Sequence, residues 1–159
     1  MKTLLRTIAA MAVLAAAGAG MASAQNFNQN PTYGSVNLSA GFSPDPMQVT
    51  VRSGGSINAA QSIGGACTGY IANAPDYRVN YTPGSYPLII SVNSSQDTTL
   101  IVNGPDSRWY CDDDSGNAGL NPMVRFNQPA SGQYDIWIGT YGSNQNFNST
   151  LAISEVSSQ

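Results

Sequence analysis

Hydrophobic and polar residues alternate along most of this chain in short runs. The stretch GQYDIWIGTY shows the pattern most clearly, with Tyr134, Ile136 and Ile138 on one face and Asp135 and Trp137 on the other. This alternation has the period of a β-strand, and downstream of an apolar N-terminal segment no stretch keeps a helical period for three turns. The sequence therefore predicts an all-β protein.

Nine strands are predicted from these runs and from the Gly, Pro, Asn and Ser residues between them. They are 35–42, 47–52, 76–81, 88–93, 98–103, 108–111, 123–127, 133–141 and 150–156. About eight or nine antiparallel strands, spaced roughly ten residues apart, predict a β-sandwich or jelly roll. The tight link at 129–132 also predicts a hairpin between the two strands that it joins.

The chain opens MKTLLRTIAAMAVLAAAGAGMASA, a short basic start followed by an apolar run and small residues. This pattern predicts a signal peptide at 1–24, cut after Ala24, and a secreted or periplasmic product. The apolar run is too short and too rich in Ala and Gly for a membrane span, and no other segment approaches the roughly 20 apolar residues needed. Residues 25–32, rich in Asn and Gln, are predicted to be flexible, and 33–159 to form one domain.

Charge and cysteine content narrow the possible partners. Without residues 1–24 the chain has four arginines against nine acidic residues, a net charge of −5. A nucleic-acid partner is not expected, because phosphate binding needs a basic surface. Cys67 and Cys111 are an even number of cysteines in an exported chain, which favours one disulfide over the alternative of a reactive thiol or metal ligand.

The sequence also argues against catalysis. It contains no histidine, which excludes Ser-His-Asp and Cys-His arrangements, the usual zinc sites and the commonest general base. Glu155 is the only glutamate, and the cluster of aspartates lies in one loop rather than on both sides of a cleft, as a glycosidase would need. The protein is therefore predicted not to be an enzyme.

Three consecutive aspartates in the stretch WYCDDDSGN are the main candidate for a site. Asp112, Asp113, Asp114 and Asn117 supply oxygen ligands of the kind that calcium takes, although their spacing is not that of an EF-hand. Asp97 is expected to join them if the strands on either side of the turn NGPDS are antiparallel neighbours. The alternative is a solvated turn, where Asp and Asn are favoured by local hydrogen bonds to the backbone.

The stretch DTTLIVNGPDSRWYCDDDSGNAGLNPMVRFNQPASGQYDIWIGTY resembles the core of bacterial pre-peptidase C-terminal domains. It resembles still more closely small exported proteobacterial proteins with DTTL, WxCDDD and YDIW-GTY motifs, sometimes described as S1 peptidases by association. The resemblance implies a small jelly-roll sandwich, and related modules bind calcium and attach to collagen or polysaccharide. Asp97 matches the strand-opening Asp, Asp112 and Asp113 match the Asp-Asp pair, and Asp114 is additional. The protease half is absent from this sequence, and the cysteines fit only the closer subset.

Aromatic residues are the remaining sequence clue to a ligand. Trp137 and Tyr141 are candidates for a platform on which sugars stack, with core packing as the alternative for each. The sequence thus predicts an exported, non-catalytic, calcium-binding sandwich that adheres to an extracellular polysaccharide, a protein or the cell surface. Two alternatives stay open: a structural subunit that self-associates through residues 25–32, and a peptidase-associated protein.

Overall fold

The alternating runs form two packed β-sheets in the computed structural model, which describes residues 25–159. The predicted signal peptide, 1–24, lies outside the described residues. The strands are β1 (Ser35–Ser39), β2 (Met47–Ser53), β3 (Ile57–Asn58), β4 (Tyr70–Ile71), β5 (Tyr77–Thr82), β6 (Leu88–Asn93), β7 (Thr98–Asn103), β8 (Trp109–Asp112), β9 (Met123–Phe126), β10 (Gly132–Thr140) and β11 (Phe147–Ser154), with one short helix, α1 (Ala59–Ser62). The predicted all-β sandwich is confirmed.

The larger sheet, sheet A, contains seven strands, and the smaller, sheet B, contains four. In sheet A, β10 pairs with β5 and β4 along one edge and with β7 along the other, β1 lies beyond β5, and β8 lies beyond β7. Sheet B has the order β2-β11-β6-β9. The β1–β5 pairing is parallel, and the other pairings of the described residues are antiparallel.

Each of the nine predicted strands is present, and their ends agree within three residues. The two strands that the sequence did not predict, β3 and β4, have two residues each. The predicted hairpin between β9 and β10 is wrong, because β9 pairs with β6 in sheet B while β10 lies in sheet A. These two strands face each other across the core, where the rings of Phe126 and Tyr134 are 5.0 Å apart.

The main core lies between the sheets and is built from alternate residues of each strand. Tyr134, Ile136 and Ile138 of β10 share one face, as the alternation predicts, and this face points into the core and packs against residues such as Ile90 and Leu151 of sheet B. Burial of a large apolar side chain stabilises a fold by roughly 1.5–3 kcal/mol. Repetition of this pattern along the strands holds the two sheets together.

A smaller apolar cluster covers half of the outer face of sheet A. Residues 54–72, which include α1, β3 and β4, fold onto this face over Ile101 and Trp137. A disulfide between Cys67 and Cys111 fixes the segment to β8, which confirms the predicted pairing. A disulfide is typical of exported proteins, because the cytosol keeps thiols reduced.

Both chain ends of the described region lie against the sandwich. Gln25 donates from Nε2 to the Ala72 carbonyl at 2.5 Å, and Arg78 donates from Nη2 to the Phe27 carbonyl at 2.7 Å. Residues 25–32, expected to be flexible, are thus hydrogen-bonded to the fold. At the other end the Gln159 backbone N–H donates to the Ser91 hydroxyl at 3.1 Å, so residues 157–159 cross the outer face of sheet B. Within 25–159 no helix is long and apolar enough to cross a membrane.

Candidate metal centre at the acidic end of the sandwich

The pairing of β7 with β8 brings Asp97 and the acidic loop to one end of sheet A. Asp97 directly precedes β7, and β8 ends at Asp112, which lies opposite Leu100 in the antiparallel register. The loop of residues 112–117 therefore leaves the sheet beside Asp97. The prediction that Asp97 and the acidic loop share one end of the sheet is confirmed.

Asp97 lies in an environment that disfavours its negative charge. Burial raises its pKa above the usual value, and the charges of Asp114 and Asp113 raise it further. Its Oδ1 atom is shielded from solvent and has no hydrogen-bond partner among the described residues. A buried carboxylate oxygen without a donor is costly unless a cation or a proton compensates it. The negative charges of two loop aspartates therefore act on Asp97.

Asp112 has a different role from its two neighbours in the loop. Its Oδ1 accepts a hydrogen bond from the Ser115 hydroxyl at 2.5 Å, and its Oδ2 accepts from the backbone N–H groups of Ser115 and Met123 at 2.8 and 2.9 Å. These bonds close a local turn and join the end of β8 to the start of β9, at the edges of the two sheets. Asp112 therefore shapes the loop that presents Asp113 and Asp114.

Asn117 points toward another part of the molecule. Its Nδ2 donates to the Ser158 carbonyl at 3.2 Å, which ties the loop to the segment that crosses sheet B. Across residues 25–159 no group of three or more Asp, Glu, His or Cys side chains is arranged to hold a metal ion. The five expected ligands therefore lie at one end of the sandwich but do not form a ready coordination shell.

An open cleft of about 350 Å³ lies beside Asp97, between the β6–β7 connection and residues 118–121. Asn121 joins its two walls, since its Oδ1 accepts from the Ser94 N–H at 2.9 Å and its Nδ2 donates to the Ala118 carbonyl at 2.6 Å. Leu120 at the rim is 56% exposed. The cleft combines an apolar rim with amide, hydroxyl and carboxylate groups.

The two aromatic candidates have different environments. Tyr141 is 49% exposed, and its backbone N–H donates to the Asp97 carbonyl at 3.2 Å, so the ring stands at the acidic end. Trp137 is fully buried, and its indole N–H donates to the Asn73 carbonyl at 3.4 Å. The expectation that Trp137 belongs to an exposed platform is wrong, because residues 54–72 cover its face of sheet A and Trp109 packs 5.3 Å from its ring.

Asp76 is a titratable residue that the sequence did not single out. It directly precedes β5 and is 3% exposed, and its Oδ2 accepts from the Ile138 N–H at 2.7 Å. Burial raises the pKa of Asp76 to about 7, and the hydrogen bond only partly offsets this. The residue lies inside the fold and links β5 to β10, which is a structural position.

Comparisons with known proteins add little to this description. No protein-family model matches the chain, and no curated protein sequence matches it. Among solved structures, the chain is similar to PliG from Aeromonas hydrophila, a periplasmic lysozyme inhibitor of g-type lysozyme, with 13% identity over 76% of this chain and 96% of that chain and a TM-score of 0.39. A likeness at this level supports no inference about function.

Proposed function

We propose that this chain is an exported, non-catalytic β-sandwich module that binds Ca²⁺ through Asp97, Asp113 and Asp114 and attaches to an extracellular polymer. The observation that carries the proposal is the shielded, unpartnered Oδ1 of Asp97 together with the negative charges of the two loop aspartates. The resemblance to pre-peptidase C-terminal domains points to the same chemistry, since Asp97 and Asp113 match positions of that pattern.

The donor chemistry fits Ca²⁺ better than other common metals. The available groups are carboxylates, backbone carbonyls and amide oxygens, which are the ligands that calcium prefers, and the sequence has no histidine. The carboxylates are not already assembled, so the loop must close on the ion. We therefore expect weak affinity, in the range of roughly 10⁻⁴–10⁻³ M that extracellular calcium modules show.

A bound cation would tie the start of β7 to the loop after β8. It would relieve the repulsion among Asp97, Asp113 and Asp114 and hold the loop that carries the wall of the neighbouring cleft. The cleft and the exposed ring of Tyr141 lie at the same end. Calcium would in this way stabilise a surface that a ligand can contact.

The test is the thermal midpoint of unfolding of residues 25–159, the exported chain, measured with excess Ca²⁺ and with chelator. At ten times the dissociation constant, a ligand of the folded state adds about 1.4 kcal/mol, which is roughly 5 °C for a domain of this size. Asp97→Asn and the double variant Asp113→Asn/Asp114→Asn are expected to lose this shift.

Two controls separate ligands from residues that shape the loop. Asp112→Asn is expected to lower the midpoint with and without calcium, because Asp112 closes the turn. Asp106→Asn, at the opposite end of the β7–β8 hairpin, is expected to keep the full calcium shift. An equal midpoint with calcium and with chelator in the unmodified chain would show that the aspartates form a solvated turn.

Self-association stays a second candidate, because β1 is an outer strand of sheet A and an outer strand offers free backbone groups. The structure gives residues 25–32 less freedom to join another chain than the sequence suggests, since they are hydrogen-bonded to residues 72–78. Sedimentation velocity over a range of concentrations distinguishes a monomeric binder from such a subunit.

A further inference from the structure

The open half of the outer face of sheet A carries a row of carboxamides. Asn37 of β1 lies directly opposite Asn80 of β5, and Asn80 lies directly opposite Gln133 of β10. All three side chains are exposed, and Asn80 donates from Nδ2 to Oδ1 of Asn37 at 2.9 Å. At the usual strand spacing of 4.7–4.9 Å the row is about 10 Å long.

This half of sheet A is open to solvent, whereas residues 54–72 cover the other half. Two clefts, of about 330 and 430 Å³, meet at residues 131–133 and extend to either side of Gln133. Phe27, which is 43% exposed, stands at the far end of the larger cleft.

The charges next to the row neutralise each other. Arg78 and Asp135 lie opposite one another in the adjacent row and pair at 2.6 Å between Nε and Oδ1. Arg78 also binds the carbonyls of Phe27 and Gln29, and Oδ2 of Asp135 accepts from Gln133 at 2.7 Å. The pair is therefore occupied in holding residues 27–29 and Gln133, and it offers no free charge to a ligand.

Several polar atoms of the row remain available. Nδ2 of Asn37, Oδ1 of Asn80 and Oε1 of Gln133 have no hydrogen-bond partner within the described part of the chain. They present a donor and two acceptors at fixed spacing, and a sugar hydroxyl can both donate and accept. The Asn37–Asn80 and Gln133–Asp135 bonds limit side-chain motion before binding, which lowers the entropic cost of binding.

We propose that the Asn37–Asn80–Gln133 row is the docking surface for a neutral, hydroxyl-rich polysaccharide, with Phe27 packing against a sugar ring at its end. This inference rests on the proposed function, since it names the surface and the polymer class for the attachment. It does not depend on the calcium site, which lies at the other end of β10 from Gln133. An anionic polymer or a nucleic acid would find no free cation in this row.

The test is affinity gel electrophoresis of the exported chain in gels that contain a neutral β-glucan, galactomannan or xylan, with alginate as the charged comparison. Retardation by a neutral polymer is expected, and Asn80→Ala/Gln133→Ala should weaken the affinity about 10-fold, because two side chains that hydrogen-bond to the polymer are removed. Phe27→Ala should also weaken it. The control Gln128→Ala/Asn144→Ala removes two exposed amides elsewhere and should leave it unchanged.

The results that would contradict this inference distinguish the docking surface from the polymer binding and from the metal site. Equal retardation of the Asn80/Gln133 double variant and the unmodified chain would overturn this docking surface and leave the proposed polymer binding intact. Retardation by alginate alone, or by no polymer, would overturn the inference, while the calcium shift in thermal midpoint would still report on the metal site. A dimer that the same double variant converts to monomer in sedimentation velocity would identify the row as a contact between copies.

Discussion

Tyr81 and Glu155 form a buried hydrogen-bonded pair between β5 and the segment that follows β11. The Tyr81 hydroxyl donates to Oε1 of Glu155 at 2.5 Å, and Oε2 of Glu155 accepts from the Gly41 N–H at 2.8 Å. Burial and the neighbouring carboxylate raise the pKa of Tyr81 well above its usual value. The only glutamate of the sequence thus links both sheets to the β1–β2 connection, and its role is structural.

Tyr81→Phe is expected to lower the free energy of unfolding by about 1–3 kcal/mol, because it leaves a buried carboxylate oxygen without its donor. Urea unfolding measures the change. Tyr134→Phe is the matched control, since Tyr134 is equally buried and donates to the neutral Ala130 carbonyl. A smaller loss at Tyr81 than at Tyr134 would contradict the importance of the Glu155 contact.

Asp76 is expected to make stability depend on pH. Its pKa is about 7 in the folded state and near 3.8 when unfolded, so the folded protein binds more protons between these values. The contribution of Asp76 to the free energy of unfolding is therefore fully present below about pH 4, and it is lost as the pH rises to 7. Urea unfolding at pH 4.5, 6 and 8 should show the free-energy difference between the unmodified chain and Asp76→Asn falling by a few kcal/mol. A constant difference would exclude this role.

Loss of the Cys67–Cys111 disulfide is expected to expose the face that holds Trp137. The bond closes a loop with a sequence separation of 44 residues, which corresponds to about 4 kcal/mol on the chain-entropy model. In Cys67→Ala/Cys111→Ala, urea unfolding should start earlier, and tryptophan emission should shift to longer wavelength before the main transition. A single unfolding transition, with no shift of the tryptophan emission maximum before it, would mean that residues 54–72 stay in place without the disulfide.

Gly132 is expected to be the least replaceable glycine near the amide row. Its φ is 139°, and a Cβ there would meet the Pro105 Cβ at 2.9 Å. Gly132→Ala should cost more than about 1 kcal/mol in stability, because both the backbone and the packing oppose it. Gly142→Ala is the control, because Gly142 has φ 69° and open space where a Cβ would lie. Only the backbone opposes this substitution, so it should lower the stability less than Gly132→Ala does. Equal thermal midpoints for the two variants would contradict the predicted packing conflict.

The strands could be predicted because a two-residue period appears directly in the sequence. The alternation separates Tyr134, Ile136 and Ile138 from Asp135 and Trp137 on opposite faces of β10, and the structure confirms this separation. The burial of Trp137 was missed because alternation identifies the two faces of a strand and does not identify what covers them. The disulfide indicates what covers this face, because a bond between Cys67 and Cys111 places residues 54–72 over it.

The candidate site was predicted in part for similar reasons. The position of Asp97 beside the acidic loop followed from a local hairpin, which the short turn NGPDS specifies. The role of Asp112 did not follow, because a carboxylate that closes a turn and one that binds a cation look alike in sequence. The row of Asn37, Asn80 and Gln133 depends on the register of three strands distant in sequence, one pairing being parallel, and no local pattern specifies such a register.

The order of strands in the chain has a consequence for when this protein can fold. β10 is the strand that β5, β7 and β4 all contact in sheet A, and β11 joins β2 to β6 in sheet B. These two central strands are the last two of the described sandwich, so neither sheet can be completed until residues 132–154 are available. Long-range pairing of this kind makes folding slow. We therefore expect the sandwich to close only after β10 and β11 have left the ribosome, and a chain that has not yet folded is the form that a translocation channel can thread across a membrane.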